Sequence, residues 1–107
     1  MALCPQVIHE FLHVATDPRR FEHPLEMTDA LSRAEKWWTA RETHRVFPNE
    51  ESMRISFEWQ RQHRLGRKRL LDTLLAATYW ENGMQRLLTL NEADFEIFGV
   101  FDFVGIP

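Results

Sequence analysis

A chain of 107 residues has room for one domain built around one core. Its 44% apolar and 27% charged content excludes wholesale disorder, and a net charge of −3 excludes a uniformly basic surface. With Cys4 as the single cysteine no internal disulfide can form, and no signal peptide or membrane-spanning run is visible, so a soluble cytoplasmic protein is expected.

The first helix is predicted to begin after Pro5, because Val7, Ile8, Phe11, Leu12 and Ala15 fall at helical spacing, and to stop at Asp17-Pro18. Residues 17–24 read as a loop with a proline near each end. A second helix follows at about 26–40, with Ala30, Leu31, Ala34, Trp37 and Trp38 as its buried face. Arg45-Val46-Phe47 is a short candidate strand closed by Pro48. Asn49 caps a third helix with Glu50 and Glu51 in its first turn, running to about Leu65. The fourth helix, residues 68–83, presents Leu70, Leu71, Leu74, Leu75 and Thr78 as one wide apolar face and stops at Asn82-Gly83. Strands are expected at 85–90 and 100–106, separated by a turn or short helical piece at 92–98.

No hairpin signal joins these strands. Parallel pairing through helical crossovers is therefore expected, in an α/β layered domain occupying residues 1–107. Only Ala2-Leu3-Cys4 precedes the first helix, so no strongly apolar central strand is found there and the chain reads as starting late.

Charge is unevenly spread. Residues 54–69 carry Arg54, Arg61, Arg64, Arg67, Lys68 and Arg69 against Glu58 alone. From Leu70 onward Arg86 is the only base, facing Asp72, Glu81, Glu92, Asp94, Glu96 and Asp102. Arginine outnumbers lysine eleven to two, which suits bidentate contacts to phosphate. Arg64, Arg67, Lys68 and Arg69 are candidate phosphate contacts for RNA, and a solvated helix face explains the same run. Trp37, Trp38, Trp59 and Trp80 read as core or dimer packing rather than as platforms for bases, and Cys4 as a small buried hydrophobe.

Two sets of residues carry possible metal chemistry. His9-Glu10-Phe11-Leu12-His13 matches H-E-x-x-H, in which two histidines on one helical face hold zinc and the glutamate acts as base of a metallopeptidase. The extension that would supply a third ligand is missing, since Thr16 and Arg19 stand at its positions. The second set is Glu10, Asp72 and Asp94. Asp72 opens a helix and Asp94 follows a strand, which in a βαβ unit puts both at the edge where ligands bind. Carboxylates of this kind hold Mg²⁺ or Mn²⁺ and activate water on a phosphodiester; equally, Asp72 can simply complement the positive end of its helix.

Three segments bear a resemblance. Gln6-Val7-Ile8-His9-Glu10-Phe11, Leu71-Asp72-Thr73-Leu74-Leu75-Ala76-Ala77-Thr78 and Thr89-Leu90-Asn91-Glu92-Ala93-Asp94-Phe95, with Thr16-Asp17-Pro18-Arg19-Arg20-Phe21 between, together resemble the PIN-domain family. More narrowly they resemble the VapC-type toxin ribonucleases of toxin–antitoxin pairs. The resemblance implies a three-layer α/β/α fold with a short parallel sheet and Mg²⁺- or Mn²⁺-dependent cleavage of RNA. It implies Glu10, Asp72 and Asp94 as the catalytic and metal-holding acids, with Asn91 as a weaker ligand. It also implies a cognate antitoxin and a homodimer as partners.

The family's opening strand, with its Asp-x-Asn, has no counterpart here. The chain thus corresponds to the C-terminal two-thirds of the family fold, truncated at its N-terminus and lacking the central first strand. Neither Asp17 nor Asp29 can replace the lost ligand, since both follow Glu10 in loop or helix-start positions. Two further expectations follow: a metal site one carboxylate short, and, as an alternative to catalysis, an inactive module that binds an antitoxin or another PIN subunit through exposed strand edges.

Overall fold

The computed structural model describes residues 2–84, 86–88 and 95–104. The chain is mixed α/β and mostly helical, and it divides into two compact units, Met1–Phe47 and Pro48–Pro107.

The first unit starts with β1 (Ala2–Leu3), which pairs in parallel with β2 (His44–Arg45) in the register Ala2 to His44 and Leu3 to Arg45. The Val46 N–H extends this ladder by donating to the Leu3 carbonyl at 2.9 Å. Parallel strands need a crossover. Here it contains α1 (Pro5–Ala15) and α2 (Met27–Thr39). Pro5 sits in the first turn of α1, where its missing N–H has no partner to lose. Thr16 ends the helix by donating its hydroxyl to the Leu12 carbonyl, and the Leu25 N–H returns to the Ala15 carbonyl.

α2 packs on α1, and its buried side chains are small. Ala30 and Ala34 are buried, whereas Leu31 and Trp37 remain 47% and 41% exposed, contrary to the expectation that they share the buried face. The alanines make the close approach, so the bulkier members of the stripe fall at its margins; Trp37 meets the ring of Phe11 edge-on at 4.7 Å.

In the second unit α3 (Glu50–Gln62) carries a reciprocal cap. The Ser52 N–H donates to Asn49 Oδ1 and the Asn49 N–H donates to Ser52 Oγ, at 2.9 and 2.6 Å. A 3-10 turn at Arg67–Arg69 leads into α4 (Leu70–Glu81), which closes on Gly83 at φ 76°. There Met84 N–H donates to the Tyr79 carbonyl and Gly83 N–H to that of Trp80, the paired bonds of a glycine-terminated helix.

α3 and α4 pack against each other, and Ser52 and Ser56 of α3 and Thr73, Ala76, Ala77 and Thr78 of α4 are all buried. The buried threonines satisfy themselves: Thr73 Oγ1 donates to the Arg69 carbonyl and Thr78 Oγ1 to that of Leu74, each at 2.7 Å. The expected apolar face of α4 is therefore corrected. Leu70 and Leu71 are 54% and 68% exposed and Leu74 is half-buried, so only Leu75 and Thr78 of that set lie in the core. Small residues give the closer helix approach, and the first-turn leucines overhang it.

β3 (Arg86–Leu88) and β4 (Asp102–Val104) pair in parallel, Arg86 with Asp102 and Leu88 with Val104. Phe95 and Glu96 are helical, and Phe95 and Phe98 are buried. The remainder of both expected strand segments, apart from Val100 and Phe101, lies outside the described residues. Both pairings are parallel, as the lack of hairpin signals predicts. Among the described residues no helix is long and apolar enough to cross a membrane.

Candidate functional site

Of the candidate acids, Glu10 and Asp72 lie on different helices. Glu10 is exposed near the middle of α1, in the first unit, between the exposed imidazoles of His9 and His13. Asp72 is half-buried in the first turn of α4, in the second unit. Asp94 and Asn91 lie outside the described residues. Among the described residues no three His, Cys, Asp or Glu side chains are grouped to hold a metal ion, and His9 and His13 accordingly have no third ligand beside them.

Asp72 sits on a firmly held element. The same turn of α4 buries Thr73, and the helix beyond it buries Leu75 through Tyr79, so the carboxylate is carried by the most fully packed helix of the chain. Before it, with Leu70 and Leu71 between, come Arg67, Lys68 and Arg69 in their 3-10 turn. Asp72 thus stands three to five residues after three consecutive cations.

The bend between α3 and α4 is pinned from within. The Leu65 N–H donates to the Gln60 carbonyl, and Gln60 Nε2 donates to the carbonyls of Leu65 and Gly66 at 3.0 and 2.9 Å. Arg64 takes a left-handed backbone, φ 53°, which is uncommon for a residue with a Cβ. His63 meets Phe98 edge-on, and Phe98 in turn stacks on Trp59 at 4.8 Å, which ties the bend to the chain after β3.

This arrangement sorts the basic run. Arg54 is engaged with Glu51 at 2.6 Å and Glu58 at 2.9 Å, so it neutralises its own helix face. The Arg54 hydrogen bonds hold the Glu51 carboxyl below its ordinary range, and the same contacts push the Arg54 guanidinium up. Arg61, Arg64, Arg67 and Lys68 are exposed and take part in no ion pair among the described residues, while Arg69 is half-buried. Sequence reading located these cations but missed Gln60, which has no local signature.

A second feature was also missed. Asp17, only 8% exposed, accepts from the Arg19 N–H at 2.9 Å and lies 3.3 and 3.7 Å from the Nε atoms of Arg19 and Arg20. The Arg19 backbone bond, followed by its side-chain bond, holds the Asp17 carboxyl below its ordinary value. The Asp-Pro-Arg-Arg string signals a turn but not this burial. Nearby in sequence, Pro5, Ile8, His9 and Trp38 line an open cleft of about 260 Å³. Cys4 is buried, as expected, and burial raises its thiol pKa. No family model matches the chain, and no curated protein matches it.

Proposed function

We propose that the chain is a PIN-like, Mg²⁺- or Mn²⁺-dependent endoribonuclease of the toxin–antitoxin kind, acting in the cytoplasm, with Glu10, Asp72 and Asp94 as its acids and Asn91 as a weaker oxygen ligand. The observation that carries this reading is the start of α4, where Asp72 follows three consecutive cations and is held by a tightly packed helix. Hydrolysis of a phosphodiester calls for both groups: cations that restrain the anionic backbone and a fixed carboxylate at the reacting centre. The two parallel strand pairs agree with the three-layer α/β/α arrangement that this reading includes.

Carboxylate and amide oxygens are the donors that a hard divalent cation takes, so Glu10, Asp72, Asp94 and Asn91 would hold it. When bound, such an ion lowers the pKa of water and stabilises charge on the phosphoryl oxygens. The chain's own part is to fix Asp72 on α4 and to hold phosphates at Arg67 and Lys68. Cleavage of labelled RNA in Mg²⁺ or Mn²⁺, in EDTA, and with Asp72→Asn tests the reading. Cleavage should vanish in EDTA and drop by at least about 10²-fold in the variant; metal-independent cutting, or full activity of Asp72→Asn, would overturn it.

A second reading is favoured by the exposed leucines of α4 and the exposed Met27, Leu31 and Trp37 of α2. On that reading the chain is an inactive module that binds an antitoxin or forms a homodimer through these side chains. Light scattering together with antitoxin pull-down decides: a monomer that captures no antitoxin disposes of it.

A further inference from the structure

We propose that the bend between α3 and α4 is a preformed grip for the backbone of single-stranded nucleic acid, in which Arg61, Arg64, Arg67 and Lys68 hold phosphates without a metal ion. The inference rests on the ribonuclease reading only in taking RNA as the nucleic acid; the grip itself needs no acid cluster.

Three observations carry it. First, these four cations are exposed and unpaired among the described residues, whereas Arg54, one turn or more earlier, is held by two glutamates. Surface charges left without counter-charges within one short bend reinforce one another's field and attract a polyanion. Second, the bend is shaped before any ligand arrives. Gln60 clamps the carbonyls of Leu65 and Gly66, and Arg64 keeps its left-handed backbone at a place where glycine would be free of strain. A pinned loop loses less conformational freedom on binding than a tail would. Third, the basic run stops at the bend: from Leu70 onward the sequence has Asp72, Glu81, Glu92, Asp94, Glu96 and Asp102 against Arg86 alone.

The chemistry favours phosphates over other anions. Three of the four groups are guanidinium forks, whose geometry matches phosphate oxygens in pairs. A membrane surface is the less suitable partner. Leu70 and Leu71 are the exposed apolar side chains of the adjoining turn, and together they offer fewer carbons than one myristoyl chain, which alone anchors only marginally.

The test is fluorescence anisotropy of the full chain with labelled oligouridine, in EDTA so that no strand is cut, across a salt titration. Four phosphate contacts to a single strand predict a log–log salt slope of about −2.8, and the double variant Arg67→Gln with Lys68→Gln should bring it to about −1.4. Arg64→Gly should weaken binding severalfold at low salt while raising the melting temperature, because it removes a cation and relieves the backbone together. That opposition separates loss of contact from loss of fold. Gln60→Ala should weaken binding with no change of charge. An unchanged slope in the double variant overturns the proposal. So does displacement by polyglutamate as effective as that by unlabelled oligouridine, or tighter binding to phosphatidylserine vesicles than to oligouridine. Metal-independent cleavage would sink the ribonuclease reading and leave the grip standing, whereas absence of oligouridine binding sinks the grip whatever the cleavage assay gives.

Discussion

The side-chain amide of Asn49 donates to Glu81 Oε2 at 3.0 Å, which joins the start of α3 to the end of α4. The same residue, through Oδ1, accepts from the Ser52 N–H and caps α3. One side chain thus sets both where a helix begins and which helix end lies beside it, so α3 and α4 run antiparallel as a hairpin closed at the far side by the pinned bend.

Asn49→Ala should therefore cost about 1–2 kcal/mol, the upper part of the range for a lost helix cap, because the tie to Glu81 goes with it. Glu81→Gln keeps an oxygen for Asn49 Nδ2 and should change stability by less than about 0.5 kcal/mol. Thermal or urea unfolding of the two variants checks the contrast.

Asp17 should make stability depend on acid. Its carboxyl is held below the ordinary value of about 3.9, so the unfolded chain binds its proton first as pH falls. The contribution is complete above about pH 4 and is lost as pH drops through the lowered folded value. Asp17→Asn should be less stable than the parent at pH 7, with a shallower fall in melting temperature below pH 4. Equal acid slopes in the two proteins would refute this role.

The two faces of α4 should respond oppositely to substitution. Ala76 is fully buried, so Ala76→Leu overpacks its surroundings and should destabilise by about 1–3 kcal/mol. Leu71 is mostly exposed, and Leu71→Ala should stay within about 0.5 kcal/mol. A face built as the leucine spacing suggests would reverse the two results in denaturant titration.

Cys4 should behave as a core residue. Its thiol is buried and its pKa is raised by burial, so a thiol reagent at pH 7 should label the folded chain far more slowly than the chain in denaturant. Rapid labelling under native conditions would place Cys4 at the surface.

Helix positions were legible because their signals are local. Pro5, Asn49 and Gly83 act on backbone groups within one turn, so the helix ends they set need no knowledge of the rest of the chain. The parallel sense of the strand pairs was legible too, since no hairpin signal joins the strands in the sequence. β1 was not. Ala2 and Leu3 carry no strand pattern of their own, and only their pairing with His44 and Arg45 makes them a strand.

Of the candidate site, the sequence by itself determined the kinds of group available: acids at Glu10 and Asp72, and a basic run leading into α4. Tertiary structure decided which of the basic groups are engaged and which are left exposed. It ties Arg54 to its glutamates and leaves Arg61, Arg64, Arg67 and Lys68 exposed around a bend shaped by Gln60. It also turned α4 so that threonines and alanines, not the first-turn leucines, are buried. The physical reason is range. Caps and turns depend on neighbours a few residues away, whereas burial and charge pairing depend on packing between segments far apart in the chain, where small side chains that approach closely can prevail over larger apolar ones.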